Sequence, residues 1–218
     1  MARRDRSSRT RDVSAPAGPP PAEVFRLGAV AGATPGKWIS LWRERMPRTR
    51  LELLEIAPTS QRDRLLAGSV DAALVRLPID KTDLHVIPLY DEVPVVVFSN
   101  DSTLSVAEEL SPADLSGEVL IIAEDDVLQP AVPETVAPGF AAPADTKAAV
   151  ELAATGVGIL IVPMSLARLH HRKDVAYRPL SGGPVSSVAL VWVAERTTPE
   201  VEAFIGIVRG RSVNSSRS

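Results

Sequence analysis

Three polar residues sit where this chain could grip a small molecule: Thr34, Arg76 and Thr146. Arg76 closes an apolar run, Ala72-Ala73-Leu74-Val75, that reads as a strand. A guanidinium at such a strand end is a forked donor for carboxylate oxygens. Thr34 ends the small-residue stretch Ala29–Thr34 (AVAGAT), where Ala31 and its neighbours let the backbone approach a guest. Thr146, within Asp145-Thr146-Lys147, stands at the start of an expected helix. Helix N-termini carry unpaired N–H groups and a positive dipole end, so carboxylates and other anions are the favoured guests. Ser99, at the end of VPVVVFS, and the edge Val162-Pro163 complete the ligand-binding set. Each has a plainer reading. Thr34 and Thr146 can serve only as helix caps, Arg76 can pair with Asp80 or Asp91 at the surface, and Ser99 can merely end a strand.

Other chemistry is missing. The chain has no cysteine, which removes disulfides, thiolate metal sites and a Cys nucleophile, and fits a reducing compartment. Of three histidines, His85 lies in an expected strand, and His170-His171 belong to a basic cluster with Arg172 and Lys173. Adjacent histidines point to different faces of a helix and make a poor metal site. Glu124-Asp125-Asp126 reads as an acidic loop, because no further carboxylate or loop signature accompanies it. No Gly-x-Ser-x-Gly, Walker loop or dinucleotide fingerprint appears. We therefore expect no catalytic residue, no metal and no cofactor.

The elements that must hold the candidates follow from apolar periodicity. Strands are expected at Val24–Val30, Leu51–Ile56, Asp71–Leu77, Leu84–Leu89, Val93–Ser99, Glu118–Ala123, Ile159–Val162, Asp174–Pro179 and Val185–Ala194. Helices are expected from Pro35 to Met46, Ser60 to Leu66, Asp145 to Ala154, Met164 to His170 and Pro199 to Arg209. Ser60 with Asp63 suggests a capping box, and Thr198 followed by Pro199 a capped start. Alternation of strands and helices argues for an α/β architecture. With 45% hydrophobic but only 4% aromatic residues, its core is built from Val, Leu, Ile and Ala, which suits strands buried on both faces. Five Arg and two Asp give residues 1–12 a charge of +3, so the remainder carries −6 of the net −3. An acidic body is a poor general binder of nucleic acid. Residues 1–23, Arg-rich then Pro-rich, and 212–218 read as disordered tails. No apolar window is long enough for a membrane span, and no secretory leader is evident, so the cytoplasm is the expected place.

Two segments share one grammar. Arg64–Pro78 (RLLAGSVDAALVRLP) runs helix, Gly turn, buried strand, proline; Val150–Pro163 (VELAATGVGILIVP) runs helix, Gly-x-Gly turn, apolar strand, proline. Each leaves a loop at the carboxyl end of a strand, where open α/β sheets hold ligands. Their order and separation resemble the effector-binding domain of LysR-type transcriptional regulators. That resemblance implies two Rossmann-like lobes joined by two crossing strands, the type 2 periplasmic-binding-protein fold. The crossings would be Val93–Ser99 and Val185–Ala194, with lobe one at 24–95 plus 187–211 and lobe two at 96–186. It implies that Thr146 stands where relatives use a hydroxyl to hold a carboxylate. It also implies dimerisation through the first helix, making Trp38 and Trp42 interface candidates, although Trp38, Trp42 and Met46 at four-residue spacing form one apolar stripe that a packed helix face explains as well. Regulators of this kind carry a helix-turn-helix ahead of the domain. The polar, proline-bearing residues before Val24 cannot fold one, so direct sequence-specific DNA binding is not expected. The expectation is a cytoplasmic module that binds a small anionic or carboxylated metabolite and acts as a homodimer or with a LysR-type regulator. A stand-alone solute-binding protein, or an enzyme on the same fold, is the alternative.

Overall fold

The structure, a computed structural model, describes residues 23–210. The tails expected at 1–23 and 212–218 lie outside the described residues, apart from Glu23. The chain builds two sheets. The first has five strands in the order β2-β1-β3-β9-β4, formed by β1 (Glu23–Val30), β2 (Thr49–Ile56), β3 (Ala72–Arg76), β4 (Leu84–Glu92) and β9 (Ser186–Val193). The second has four, in the order β6-β7-β5-β8, from β5 (Pro94–Ser99), β6 (Leu120–Ile121), β7 (Ile159–Pro163) and β8 (Val175–Pro179). Strands β1, β2 and β3 are parallel, while β9 runs antiparallel to both β3 and β4.

Every residue of β3 and of β5 is buried, as strands covered on both faces must be. One face of the first sheet packs under α1 (Gly36–Arg45) and α5 (Pro199–Val208), through Phe25, Leu27, Trp42, Leu190 and Phe204. Its other face takes Leu65 of α2 (Gln61–Leu66) against Val70, Val75 and Val191. In the second sheet, α3 (Thr146–Ala154) and α4 (Met164–Leu169) cover one face. Leu104 and Leu115, on short 3-10 helices at Thr103–Val106 and Pro112–Leu115, cover the other together with Leu110 and Leu128. The Gly-x-Gly turn has a clear cause: Gly156 adopts φ +79°, and a Cβ on Gly158 would lie 2.5 Å from the Val119 carbonyl oxygen. It ends α3 and lets β7 lie against the segment entering β6.

Four details depart from the sequence expectation. First, neither crossing strand spans both sheets. Strand β5 pairs only within the second sheet and β9 only within the first, so the chain crosses at Val93 and again between Leu180 and Val185. Val95 thus belongs with the second sheet, where it faces Val162 and Pro179. Second, Trp42 is 0% exposed: its ring stacks on Phe25 at 4.6 Å and its Nε1–H donates to the Thr49 carbonyl at 3.0 Å. It is a core residue and cannot line an interface; Trp38 is half-buried against the same cluster. Third, Ser60 does not form a capping box, since its hydroxyl turns back to the Ala57 carbonyl. Fourth, Asp145 rather than Thr146 caps α3, accepting from the Ala148 N–H at 2.7 Å. Thr198 does cap α5, with Pro199 in the first turn.

Candidate functional site

The carboxyl ends of β1, β2 and β3 face the second lobe, and the candidates gather around one side chain there. Arg76, 4% exposed, ends β3 with its guanidinium at the junction of the lobes. Its Nη1 donates to the Glu92 carboxylate and, at 2.6 Å, to Ser186 Oγ. Its Nη2 donates to the Ala31 carbonyl at 3.1 Å and to Ser165 Oγ at 3.3 Å. Glu92 ends β4 beside the outward crossing, Ser186 starts β9 after the return, and Ser165 lies on α4 in the second lobe. One cation therefore ties together both crossings, the loop after β1 and the opposite lobe. Gln61 fixes the backbone beneath it, its amide donating to the Arg76 carbonyl at 2.8 Å and accepting from the Arg76 N–H at 3.0 Å. The surface pairing with Asp80 or Asp91 does not form; Asp80 pairs with Arg62 instead, and Asp91 accepts from Ser187.

The lobes touch closely at this point. Gly32 adopts φ +83°, and a Cβ there would lie 2.4 Å from Ser165 Oγ and 3.1 Å from Arg76 Nη2. Only glycine fits both the backbone and the gap. Ala31, next to it, packs on the second lobe's core.

Two cavities flank the junction. One, about 320 Å³, lies between Ala57, Pro58, Thr59, Gln61 and Arg76–Pro78 of the first lobe and the Glu124–Val127 loop with Gln129 of the second. It sits at the strand carboxyl ends, where open α/β sheets bind guests. The other, about 520 Å³, lies toward the crossing, between Gly32–Thr34, Tyr90–Val93 and α4. Burial raises the Tyr90 phenol above its ordinary pKa, with the Glu92 charge adding to the effect and Arg76 opposing it. Burial also raises Asp126, although N–H groups of Gln129 and Leu128 pull the other way.

The expected residues distribute unevenly over this geometry. Ala31 and Arg76 meet directly. Val162 and Pro163 end β7 at the crossing, opposite Val95 and Pro94. Thr146, 3% exposed, is the first residue of α3, and its hydroxyl donates to Asp125 at 2.8 Å, so it supports the loop that walls the smaller cavity. Thr34 lines the larger cavity and is exposed. Ser99 is not brought to the site. Strand β5 starts at the crossing and runs away from it, placing Ser99 about 17 Å along the strand, opposite Val175, where its Oγ accepts from the Asp101 N–H. Glu92, Ser165 and Ser186 were missed, because each is an ordinary polar residue until the fold gathers them around Arg76.

Among the described residues no group of three or more His, Cys, Asp or Glu could hold a metal ion. Among them, too, no helix is long and apolar enough to cross a membrane.

The family model described as the LysR substrate binding domain matches residues 19–212. The Hca operon transcriptional activator HcaR of Escherichia coli (strain K12) is 29% identical over 187 residues, covering 80% of this chain and 62% of that protein. The HTH-type transcriptional regulator CatR of Pseudomonas putida is 30% identical over 169 residues, covering 72% and 57% respectively. This chain thus spans about three-fifths of the length of these relatives. Among solved structures, the BenM effector binding domain with its effector benzoate superposes with a TM-score of 0.71 at 20% identity, covering 86% of this chain and 91% of that one. The reduced form of OxyR gives 0.71 at 20% identity, covering 88% and 97%. These structural likenesses establish the type 2 periplasmic-binding-like fold, and the family's curated relatives are transcription regulators by name. The chain belongs to the LysR substrate-binding domain family.

Proposed function

We propose that this chain is the effector-sensing module of a LysR-type regulator, and that its guest is a small carboxylated metabolite held in the cavity between the lobes. The Arg76 network carries the reading. The guanidinium uses Nη1 and Nη2 on Glu92, Ser186, Ala31 and Ser165, so its Nε–H is the donor left for a guest. A carboxylate on that donor would shift the charge seen by Glu92 and the geometry at Ser165, and hence the set of one lobe against the other. Differential binding of that kind is what moves a two-state equilibrium. HcaR and CatR are transcriptional regulators by name, and the BenM domain holds benzoate, a carboxylate; both support the choice.

In this reading the module works in the cytoplasm, and it pairs as a homodimer or with a LysR-type regulator. Thermal-shift measurement against aliphatic acids, aromatic acids and amino acids tests it. A guest at a hundredfold excess over its Kd adds about 2.7 kcal/mol. For a domain of this size that is a rise of roughly 5–11 °C. If no organic acid in the panel moves the transition, the sensing role is wrong. Light scattering at tens of micromolar tests the pairing: a monomer there removes the homodimer.

A further inference from the structure

The smaller cavity is electrically two-faced. Its first-lobe wall includes Thr59 and Arg76, a side chain 4% exposed whose Nη1 and Nη2 are engaged and whose Nε–H takes no partner among the described residues. Its second-lobe wall offers three successive carboxylates, Glu124, Asp125 and Asp126. Two of these are oriented by the protein. Asp125 accepts from Thr146, and Asp126 accepts from the N–H groups of Leu128 and Gln129. Glu124 is exposed, and its carboxylate has no partner among the described residues. Arg76 is the one basic residue in the lining, and Glu92 already neutralises it.

A simple anion entering this space finds one donor and an excess of negative charge. From these opposed walls we infer, resting on the effector reading above, that the guest is zwitterionic: a small α-amino acid or related amino-carboxylate. Its carboxylate meets the Arg76 Nε–H, and its ammonium meets Glu124 and Asp125. An ammonium has three donors, and carboxylates with free lone pairs are its natural acceptors. A bare metal ion is not the cation, since the acidic loop does not form a group able to hold one. About 320 Å³ suits a guest of this size.

Matched probes separate the two ends of the guest. The whole chain is titrated calorimetrically at pH 7 with each standard amino acid, with the deaminated carboxylic acid of the same side chain, and with the decarboxylated amine. At least one amino acid is expected to bind tenfold or more tightly than both of its counterparts. In Glu124→Gln, an exposed change that leaves the fold intact, that preference should fall severalfold while the deaminated acid binds no worse. A deaminated acid that binds as tightly as its amino acid overturns the zwitterion and leaves the effector reading standing. An amine that binds as tightly overturns the role of Arg76. Silence from all three classes overturns both inferences together.

Discussion

Replacing Arg76 with methionine tests whether one buried cation holds the lobe junction. The substitution keeps a long side chain but removes the charge and every guanidinium donor. Glu92, 8% exposed, is then a carboxylate without its cation. Breaking a buried pair by removing one partner costs about 3–5 kcal/mol, chiefly because the remaining charge is left desolvated. At about 2–4 °C per kcal/mol for a domain of this size, Tm should fall by roughly 6–20 °C. Removing the orphaned charge as well gives the sharper reading. Arg76→Met with Glu92→Met should be less damaged than the two single effects summed, by about 2 kcal/mol, since coupled groups in contact are not additive. Urea unfolding of the wild type, both single variants and the double variant closes that cycle, with an unchanged m-value confirming that stability alone has moved. An Arg76→Met variant within about 1 kcal/mol of wild type refutes the reasoning, as does a double variant whose loss equals the sum.

Three further outcomes follow from individual contacts. Gly32→Ala meets both a positive φ and the Ser165 hydroxyl, so it should destabilise by about 1–3 kcal/mol, partly recovered by adding Ser165→Gly. Equal stability of Gly32→Ala and wild type in urea would contradict the close approach of the lobes. Trp42→Phe loses a buried hydrogen bond to the Thr49 carbonyl as well as ring area, and should cost about 1–3 kcal/mol without changing the oligomeric state; a change in mass by light scattering would return Trp42 to an interface. Asp126 has a folded pKa raised above its ordinary 3.8 by burial, so its contribution to stability is present below 3.8 and is lost as pH rises through the folded value. Asp126→Asn should therefore lose less stability than wild type between pH 3.8 and neutrality, and parallel urea midpoints across that range would refute the shift.

Local pattern carried far in this chain. The apolar runs around Ala72–Arg76 and Ile159–Pro163 are strands buried on both faces, and such strands must be continuous in hydrophobicity whatever surrounds them. The turn at Gly156-Val157-Gly158, the Thr198 cap and the Pro199 start were equally legible, because each obeys a rule a few residues long. The Trp38–Trp42–Met46 spacing announced one apolar stripe, yet not what it would face. Only packing showed Trp42 stacked on Phe25 and tilted against Phe204 rather than turned outward. Arg76 was visible as a cation ending an apolar strand, but its partners stand 16, 89 and 110 residues further along the chain. Separations of that size leave no periodic trace, since a polar residue in a loop reads alike whether water or a guanidinium satisfies it. Ser99 failed for a related reason: its neighbours promised a strand end, while the direction of β5 decided which end. Composition and short-range spacing settled which segments are strands and helices, because backbone geometry imposes their periods. Which side chains share the space between the lobes was decided by the path of the chain, because contact there depends on strand order and direction.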